Sequence, residues 1–448
     1  MQLRSLTRSL VVLAAPVFGA SGQATLPPLT IGGAARAAAE RSAVVDVARE
    51  RASQADARVR QRRADLLPSI TGSASDAERT INSATLGISF RDPVTGQPAF
   101  DPNGQVLGPI KAWDFRATIR QSLADPAAVA RLSASKAVAA ATLADVSSVA
   151  QQAAATAALA CVAAMRATAQ LSARIADSAL AADLLSIARA QLDAGTGIAL
   201  DVTRAEAVQA TTRAQLIAAR ISVTRSRMDL ARALGLPATT PVTLAGALET
   251  VADAANEDSA DAAAARALDQ RADLRAAGRQ LAAAERQVRA VRAERFPALS
   301  AFVNDGAIGK TTNHLLNTWS WGIQLGIPVF DGFRREGRIA EQRAVIREIE
   351  VRRRELSQQV DADVRTSLLE LDAAREQLAA ALERNRLAVQ EVEQARERFA
   401  AGVSGNADVI TASLNLNAAR TFVVDARTAL LTMRVAVARA QGTVTALP

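Results

Sequence analysis

The segment from Pro126 to Ala194 most constrains the fold, because it contains no internal glycine or proline and is rich in alanine. Such a run predicts a single helix on the order of 100 Å long, since each helical residue rises 1.5 Å. Helices of globular domains average about 11–12 residues. A second helix of similar length is predicted from Phe333 to Ala400. The chain is therefore expected to be mainly α-helical and to form long antiparallel rods.

Four shorter helices are predicted beside the two long ones. Pro68 and Pro297 end two of them, because the residue before a proline is pushed out of helical backbone space. The same order of elements then occurs twice, which predicts an internal two-fold repeat. The first repeat would span residues 25–236, a linker 237–261, and the second repeat 262–448. The shorter helices are predicted at about Ile31–Asp65, Leu200–Leu234, Ala262 to the residues before Pro297, and Ala407–Gln441.

The first 24 residues have the pattern of a secretory signal peptide. Arg4 and Arg8 precede an apolar run from Leu10 to Phe18, and small residues follow. The run is too short for a membrane-spanning helix, so the segment predicts export and removal. No later segment has the roughly 18 to 20 uncharged apolar residues expected of a membrane-spanning helix. The only cysteine, Cys161, cannot form an intrachain disulfide and is predicted to be a packing residue.

Two segments alternate apolar and polar residues as strands do. "WDFRATIRQSL" begins at Trp113, and "TWSWGIQLGIPV" begins at Thr318. Partner strands are predicted at about Ser69–Ala77 and Ala298–Ala307. Strict alternation indicates strands that are apolar on one face only. The simplest alternative is a small surface hairpin packed on the helices. Alternatively, the strands lie in a membrane, and the aromatic residues at one end of each segment form a girdle at the membrane interface, as in membrane barrels. These residues are Trp113, Phe115, Trp319 and Trp321.

Four strands are too few to close a membrane barrel. The smallest such barrels use about eight strands, and open sheet edges are not tolerated in lipid. Closure would therefore require oligomerisation: a dimer would supply about 8 strands, a trimer about 12 and a tetramer about 16. The predicted fold is a membrane β-barrel continued by a helical tube that crosses a periplasm.

Composition and motifs argue against an enzyme or a nucleic-acid-binding protein. The net charge of +8 is interspersed along the helices, and aromatic residues make up only 3% of the chain, so no clustered basic patch suggests nucleic acid. His314 is the only histidine, and no metal-ligand cluster, cofactor motif or nucleophile motif is present. "GAIGKTT" lacks the glycine spacing of a phosphate-binding loop. We expect no cofactor, no metal and no catalytic residue.

Two short stretches with one spacing interrupt the helical segments. "LDAGTGIALDV" contains Gly195, Asp201 and Val202, and "FAAGVSGNADV" contains the corresponding residues at the second position, Gly402, Asp408 and Val409. Glycine can adopt the left-handed conformation that ends a helix. An aspartate near the start of the next helix can cap its free N–H groups. Both stretches therefore predict helical hairpins.

Together these features resemble the TolC-like outer-membrane efflux protein family. The resemblance rests on "RADLRAA" followed by "FPALS", on "GIPVFDG" before the second long helix, and on the two hairpins. It implies a homotrimer with a 12-stranded barrel in outer-membrane lipid and a long periplasmic helical tunnel. It also implies a periplasmic adaptor protein and an inner-membrane transporter of RND or ABC type. Drugs, metals, small molecules and polypeptides all remain possible substrates.

The resemblance also assigns the two hairpins to the periplasmic end of the tunnel. Gly195, Asp201 and Val202, with Gly402, Asp408 and Val409, would form the turns that contact the adaptor. Asp201, Arg204 and Asp408 would form the pore constriction, although capping alone could account for either aspartate. Ser404 and Thr411 stand where members of the family can carry charged residues, so a gating mechanism is not transferred.

A protein of another class remains as the alternative. An exported periplasmic coiled-coil scaffold or adaptor without a pore would account for the helices and the signal peptide. It would not account for two pairs of alternating strands with tryptophans.

Overall fold

The computed structural model describes residues 28–86, 101, 103–248, 259–401 and 403–448. The predicted signal peptide and Gly402 lie outside the described residues, as does the part of the predicted linker from 249 to 258. In the described part of the chain, helices and strands follow one another in the predicted order. The helices are α1 Ile31–Arg41, α2 Ala43–Ala64, α3 Pro126–Asp193, α4 Ala199–Ala233, α5 Ala260–Gln270, α6 Ala272–Ala293, α7 Arg334–Ala400 and α8 Asn406–Gln441.

The two long helices are confirmed almost to the residue. Helix α3 has 68 residues and α7 has 67. Asp125 caps α3, since its carboxylate accepts a hydrogen bond from the Ala128 N–H at 2.9 Å, and Pro126 occupies the first helical turn. This combination is the expected start of a helix, because a proline there loses no intrahelical hydrogen bond.

Two helices predicted to be continuous are each broken once, and there the prediction was wrong. Ser42 separates α1 from α2, and Arg271 separates α5 from α6; both residues have extended backbone. Neither break involves glycine or proline, so tertiary contacts must stabilise it. The Arg271 guanidinium donates to the Ala440 carbonyl oxygen at 3.2 Å. Gly235 lies so close to the first break that a Cβ on it would be 2.7 Å from the Arg41 carbonyl oxygen.

The shorter helices line up along the long ones. Helices α1, α2 and α4 pack on α3, whereas α5, α6 and α8 pack on α7. The three helices on α3 have 11, 22 and 35 residues, which together match its 68. Each half of the chain is thus a pair of rods, one continuous and one made of shorter helices. Helix α3 also packs on α6 and α8 and so joins the halves.

The main core lies at the middle of α3 and is built from small residues. Ala154, Ala157 and Cys161 are completely buried there, against α1, α8 and the segment that contains Val242 and Leu248. Alanine lets the backbones of neighbouring helices approach closely on more than one side of α3. Cys161 is a packing residue, as predicted.

Among the helices that the structure describes, α3 is the one long and apolar enough to cross a membrane by length and composition. The expectation that no segment after the signal peptide meets this condition was therefore wrong. Of its most apolar stretch, 44% is buried inside the protein. Its alanines contribute to the core, so the apolar character of α3 serves helix packing.

The four strands form a single antiparallel sheet in sequence order. Three strands are longer than predicted: β1 Ser69–Asn82, β2 Val106–Ala124 and β3 Ala298–Gly309. Strand β4, Leu316–Gly326, begins two residues before the predicted segment and ends three residues before its end. Strand β2 pairs with β3, so the sheet also joins the two halves. Strands β1 and β4 lie at its edges.

Candidate functional site

The first hairpin turn lies between α3 and α4. Gly195 has a φ of +71°, in the left-handed region. A Cβ on Gly195 would meet no atom within 4 Å, so the turn requires glycine for its backbone conformation and not for space. The N–H groups of Thr196 and Gly197 donate to the Gln191 carbonyl oxygen at 3.0 and 2.9 Å. This closes α3 as the sequence predicted.

The second hairpin turn lies between α7 and α8. Gly402 itself is outside the described residues. On either side of it, Ala401 caps α7, and the Val403 N–H donates to the Arg398 carbonyl oxygen at 2.9 Å. The extended Gly405 precedes α8.

Neither aspartate caps a helix, so the capping prediction was wrong for both. The residues at the N-cap positions are Ile198 for α4 and Gly405 for α8, and neither helix has a side-chain cap. Asp201 and Asp408 lie one turn later, in the first turn of each helix. A carboxylate there still interacts favourably with the helix dipole.

The two aspartates have different surroundings. The Asp201 carboxylate lies 3.7 Å from an Arg204 guanidinium nitrogen and is 19% exposed. Asp408 is exposed, and its carboxylate makes no hydrogen bond or ion pair to any residue that the structure describes. Within one protomer, Asp408 is therefore the tip carboxylate that is free to face another group.

The two valines of the tip motifs point inward. Val409 is fully buried in a cluster with Phe399 and Leu416. Val202 is half-buried beside Leu185. A buried Val409 side chain cannot touch an adaptor directly, so its assignment as a contact residue was wrong; it packs the hairpins together instead. Exposed apolar side chains are found in the turns themselves, at Ile198, Leu200 and Val403.

Asn406 is a functional candidate that the sequence analysis did not single out. Its side chain is completely buried, and its amide Nδ2 donates to the Asp201 carbonyl oxygen at 3.0 Å. The bond joins the start of α8 to the start of α4. The only sequence signal was the presence of a polar amide where the corresponding residue of the first turn is Ala199.

At the helical end of the sheet, apolar side chains share one face and polar side chains share the other; further along the apolar face, Asp76 and Asp305 lie beside Trp113 and Trp319. The register places Ile70, Ile119, Val303 and Trp321 side by side on one face, and Thr71, Thr118, Asn304 and Ser320 on the opposite face. The apolar residues are largely exposed, for example 72% for Ile70 and 67% for Trp321. No helix covers this face, so the alternative of a hairpin packed on the helices is excluded for the described strands.

The aromatic residues of the sheet lie at different positions along the strand direction. Their pairing partners on β3 show this. Trp113 and Phe115 of β2 pair with Gly309 and Ala307, and Trp319 and Trp321 of β4 pair with Asp305 and Val303. These positions span six residues, or about 20 Å of strand. Strand β2 extends seven residues before Trp113, from Val106, so Trp113 lies inside the strand and not at its end. The assignment of these aromatic residues to a membrane interface stays a prediction.

No catalytic or metal-binding arrangement is seen in the described part of the chain. No group of three or more His, Cys, Asp or Glu side chains is placed to hold a metal ion among those residues. His314 is an exposed turn residue between β3 and β4.

Comparison with known proteins gives a consistent result. The model of the family described as "Outer membrane efflux protein" matches residues 34–236 and 263–443. A comparison with curated protein sequences gives no significant match. Three solved structures share the fold at low sequence identity. They are the outer-membrane channel OprN (TM-score 0.73, 19% identity, covering 92% of this chain and 90% of that one), VceC from Vibrio cholerae (0.71, 18%, 92% and 96%) and the CmeC outer membrane channel from Campylobacter jejuni (0.73, 16%, 97% and 94%).

Proposed function

The chain belongs to the outer membrane efflux protein family, and from this premise we propose that it is the exit channel of a tripartite export system. Membership places it in the outer membrane and among channels, not enzymes. In the proposed system an inner-membrane transporter of RND or ABC type and a periplasmic adaptor deliver substrates to the channel. Efflux of small molecules and type I secretion of polypeptides are both compatible with this arrangement.

The observation that carries the proposal is the amphipathic four-stranded sheet at one end of the long helices. Its apolar face is uncovered, and β1 and β4 are edge strands. Edges of this kind must be paired in lipid. We propose that three copies pair β4 of one protomer with β1 of the next and close a 12-stranded barrel. The 12 long rods of the trimer would then form the periplasmic tunnel.

The two halves of the chain support an origin by duplication. Each half contains helices of 11 and 22 residues, two strands, a long helix and a helix of 35 or 36 residues, in that order. We therefore propose 25–236 and 262–448 as the two repeats, 237–261 as the linker and 1–24 as the signal peptide, with α5 beginning at Ala260, two residues before the end of that linker.

The hairpin turns are the proposed site of adaptor contact. Ile198, Leu200 and Val403 are 57%, 51% and 69% exposed, and exposed apolar side chains at one end of a protein favour a protein partner. Asp201, Arg204 and Asp408 are the proposed constriction. Asp408 is the strongest of the three, because Asp201 and Arg204 neutralise each other within one protomer.

Membrane extraction tests the proposal against the periplasmic scaffold. The protein is extracted from outer membranes with mild detergent and run on a gel with and without heating. We expect an oligomer that converts to a monomer on heating, because a closed barrel resists detergent. A soluble periplasmic monomer that migrates identically under both conditions would support the scaffold and overturn the channel.

A further inference from the structure

Exposed apolar residues surround the places where helices meet strands. Leu67 and Phe296 lie just before the strands β1 and β3 and directly precede Pro68 and Pro297. Phe330 and Phe333 lie between β4 and α7. The four side chains are 54%, 60%, 73% and 71% exposed. Together with three arginines described below, they are named the junction collar.

Phe330 and Phe333 are held outward by an unfavourable turn. Their rings contact each other edge to face, with centroids 5.5 Å apart. Phe333 has a φ of +63°, a left-handed conformation that a side chain with a Cβ disfavours. Arg335, buried behind the turn, donates to the Asp331 carboxylate at 2.7 Å and to the Glu294 carbonyl oxygen at 3.2 Å. The backbone is thus fixed so that two phenylalanines remain exposed.

The collar continues the apolar face of the sheet. Every second residue from Trp319 to Val329 is apolar, and all of them are more than half exposed, from 58% for Leu325 and Ile327 to 87% for Val329. Phe330 and Phe333 follow directly. The apolar surface therefore runs without interruption from the strands into the junctions.

Three arginines close in sequence to these side chains form no ion pair and no side-chain hydrogen bond with the described residues, although the charge of Arg334 interacts with the Asp331 carboxylate. Arg63, Arg292 and Arg334 are exposed and form no ion pair or side-chain hydrogen bond there, whereas Arg62, Arg295 and Arg338 pair with Asp65, Glu336 and Glu294. Arg63 and Arg292 lie in the last turns of α2 and α6, where the helix dipole favours a cation. Arg334 is the first residue of α7, where the dipole opposes it. The nearby Asp331 carboxylate offsets part of this unfavourable interaction with the dipole.

We propose that the junction collar binds anionic phospholipid headgroups of the periplasmic leaflet of the outer membrane. The inference rests on the proposed function, because it requires the sheet to be in that membrane. The phenylalanines and Leu67 would lie at the boundary of the hydrocarbon, where aromatic side chains are favoured. The three guanidinium groups would bind lipid phosphates, for which the planar Arg donor pattern is well suited. A second copy of the chain covering the collar is the competing occupant.

Lipid competition on the full-length protein tests the collar. The detergent-extracted oligomer is mixed with equal amounts of phosphatidylglycerol and phosphatidylcholine that have identical acyl chains. Bound lipids are then counted by native mass spectrometry. A juxtamembrane arginine contributes about fivefold in affinity for an anionic surface, so we expect phosphatidylglycerol to be favoured by roughly tenfold or more. In the triple variant Arg63→Gln/Arg292→Gln/Arg334→Gln the preference should fall to within about twofold.

Two further variants separate charge from folding. Lysine at the same three positions should retain most of the preference, because an ammonium group still binds phosphate as a point charge. The matched control Arg220→Gln/Arg225→Gln/Arg227→Gln removes three exposed cations from α4 and should leave the preference unchanged. Equal loss in both glutamine variants would mean that net charge, and not the collar, selects the lipid.

The outcomes also distinguish this inference from the proposed function. Failure of the wild-type protein to insert into liposomes would overturn both. If the protein inserted but bound phosphatidylglycerol and phosphatidylcholine equally, only the proposal of lipid binding at the junction collar would be overturned. A third outcome concerns the oligomer in lipid-free detergent. If the triple variant Arg63→Gln/Arg292→Gln/Arg334→Gln lost the oligomer and the α4 control did not, the collar would be a contact between copies of the chain, and the inference would also be overturned.

Discussion

At the scale of single residues, the two hairpin aspartates differ in a way that their common spacing does not reveal. Asp201 is mostly buried and faces Arg204, whereas Asp408 is exposed and has no partner among the described residues. The Asp408 carboxylate gains neither a capping hydrogen bond nor an ion pair, and electrostatic repulsion between copies of it in an oligomer would be unfavourable. We therefore propose that its position serves the pore.

Replacing Asp408 with Ala tests this proposal. A ring of three carboxylates attracts cations at a narrow point, so its removal should lower the cation-to-anion permeability ratio by about twofold or more. The proposed trimer should remain intact. Asp372→Ala, which removes an exposed carboxylate from α7, is the control. Equal cation-to-anion selectivity in both variants would remove Asp408 from the pore.

Asn406 is the second residue whose role follows from its surroundings. In Asn406→Ala the Asp201 carbonyl oxygen loses its donor and a small cavity opens, which should destabilise the tip by about 1–2 kcal/mol. Hydrogen exchange should become faster in the first turns of α4 and α8 and stay unchanged near the sheet. Asn415→Ala removes an exposed amide that contacts Glu391 and should change neither the stability of the tip nor the hydrogen exchange of α4 and α8. Unaltered exchange in Asn406→Ala would mean that the buried bond does not hold the turns together.

At the scale of elements, the sequence predicted the long helices and the hairpins well and the joints poorly. Helices α3 and α7 were located almost to the residue because local signals, Asp125-Pro126 and the glycine-containing turns, define their ends. The breaks at Ser42 and Arg271 carry no such signal and depend on contacts with residues far away in the sequence. The length of β2 was underestimated because the Gly108-Pro109 pair within it is a usual sign of a loop. Asn406 was missed for a similar reason, since its burial depends on α4.

A buried charge cluster joins α3 to α8. The Asp177 carboxylate is 1% exposed and accepts hydrogen bonds from Arg174 at 3.0 Å and Arg420 at 2.9 Å. Asp177→Ala should destabilise the protein by about 2–4 kcal/mol, because two partly buried guanidinium groups lose their counter-ion. Asp183→Ala, an exposed position on the same helix, should cost less than about 1 kcal/mol. Similar unfolding midpoints for the two variants would show that the cluster contributes little.

The joint between α5 and α6 should make stability depend on pH. Desolvation raises the pKa of Asp273, but the hydrogen bond and charge of Arg271, with the Leu274 N–H, outweigh it and lower the pKa below its ordinary value of 3.8. The folded protein therefore gains stability from the ionised carboxylate above that value, and loses it as the pH falls through the lowered pKa.

Thermal unfolding of Asp273→Asn tests the sign of this dependence. The variant should be less stable than the wild type at neutral pH, and the difference should shrink below about pH 3.8. Asp269→Asn, which changes an exposed carboxylate on α5, should follow the wild-type curve. If the stability of Asp273→Asn and of the wild type changed in parallel with pH down to acidic values, Asp273 would not be the source of the pH dependence of stability.

At the scale of the whole molecule, polarity changes along one axis. An uncovered apolar sheet lies at one end, the junction collar follows it, and helices packed through small residues lead to the hairpin turns at the other end. A single protomer leaves the sheet edges, the apolar face and the turns without partners in the described structure. Neighbouring protomers, lipid and an adaptor would satisfy all three.

The most direct test of the channel is conductance in planar lipid bilayers. Oligomer purified from the outer membrane should insert and produce discrete, uniform current steps, and the heated monomer should produce none. The absence of steps from a confirmed heat-modifiable oligomer, at any applied voltage, would contradict a closed barrel with an open path through it.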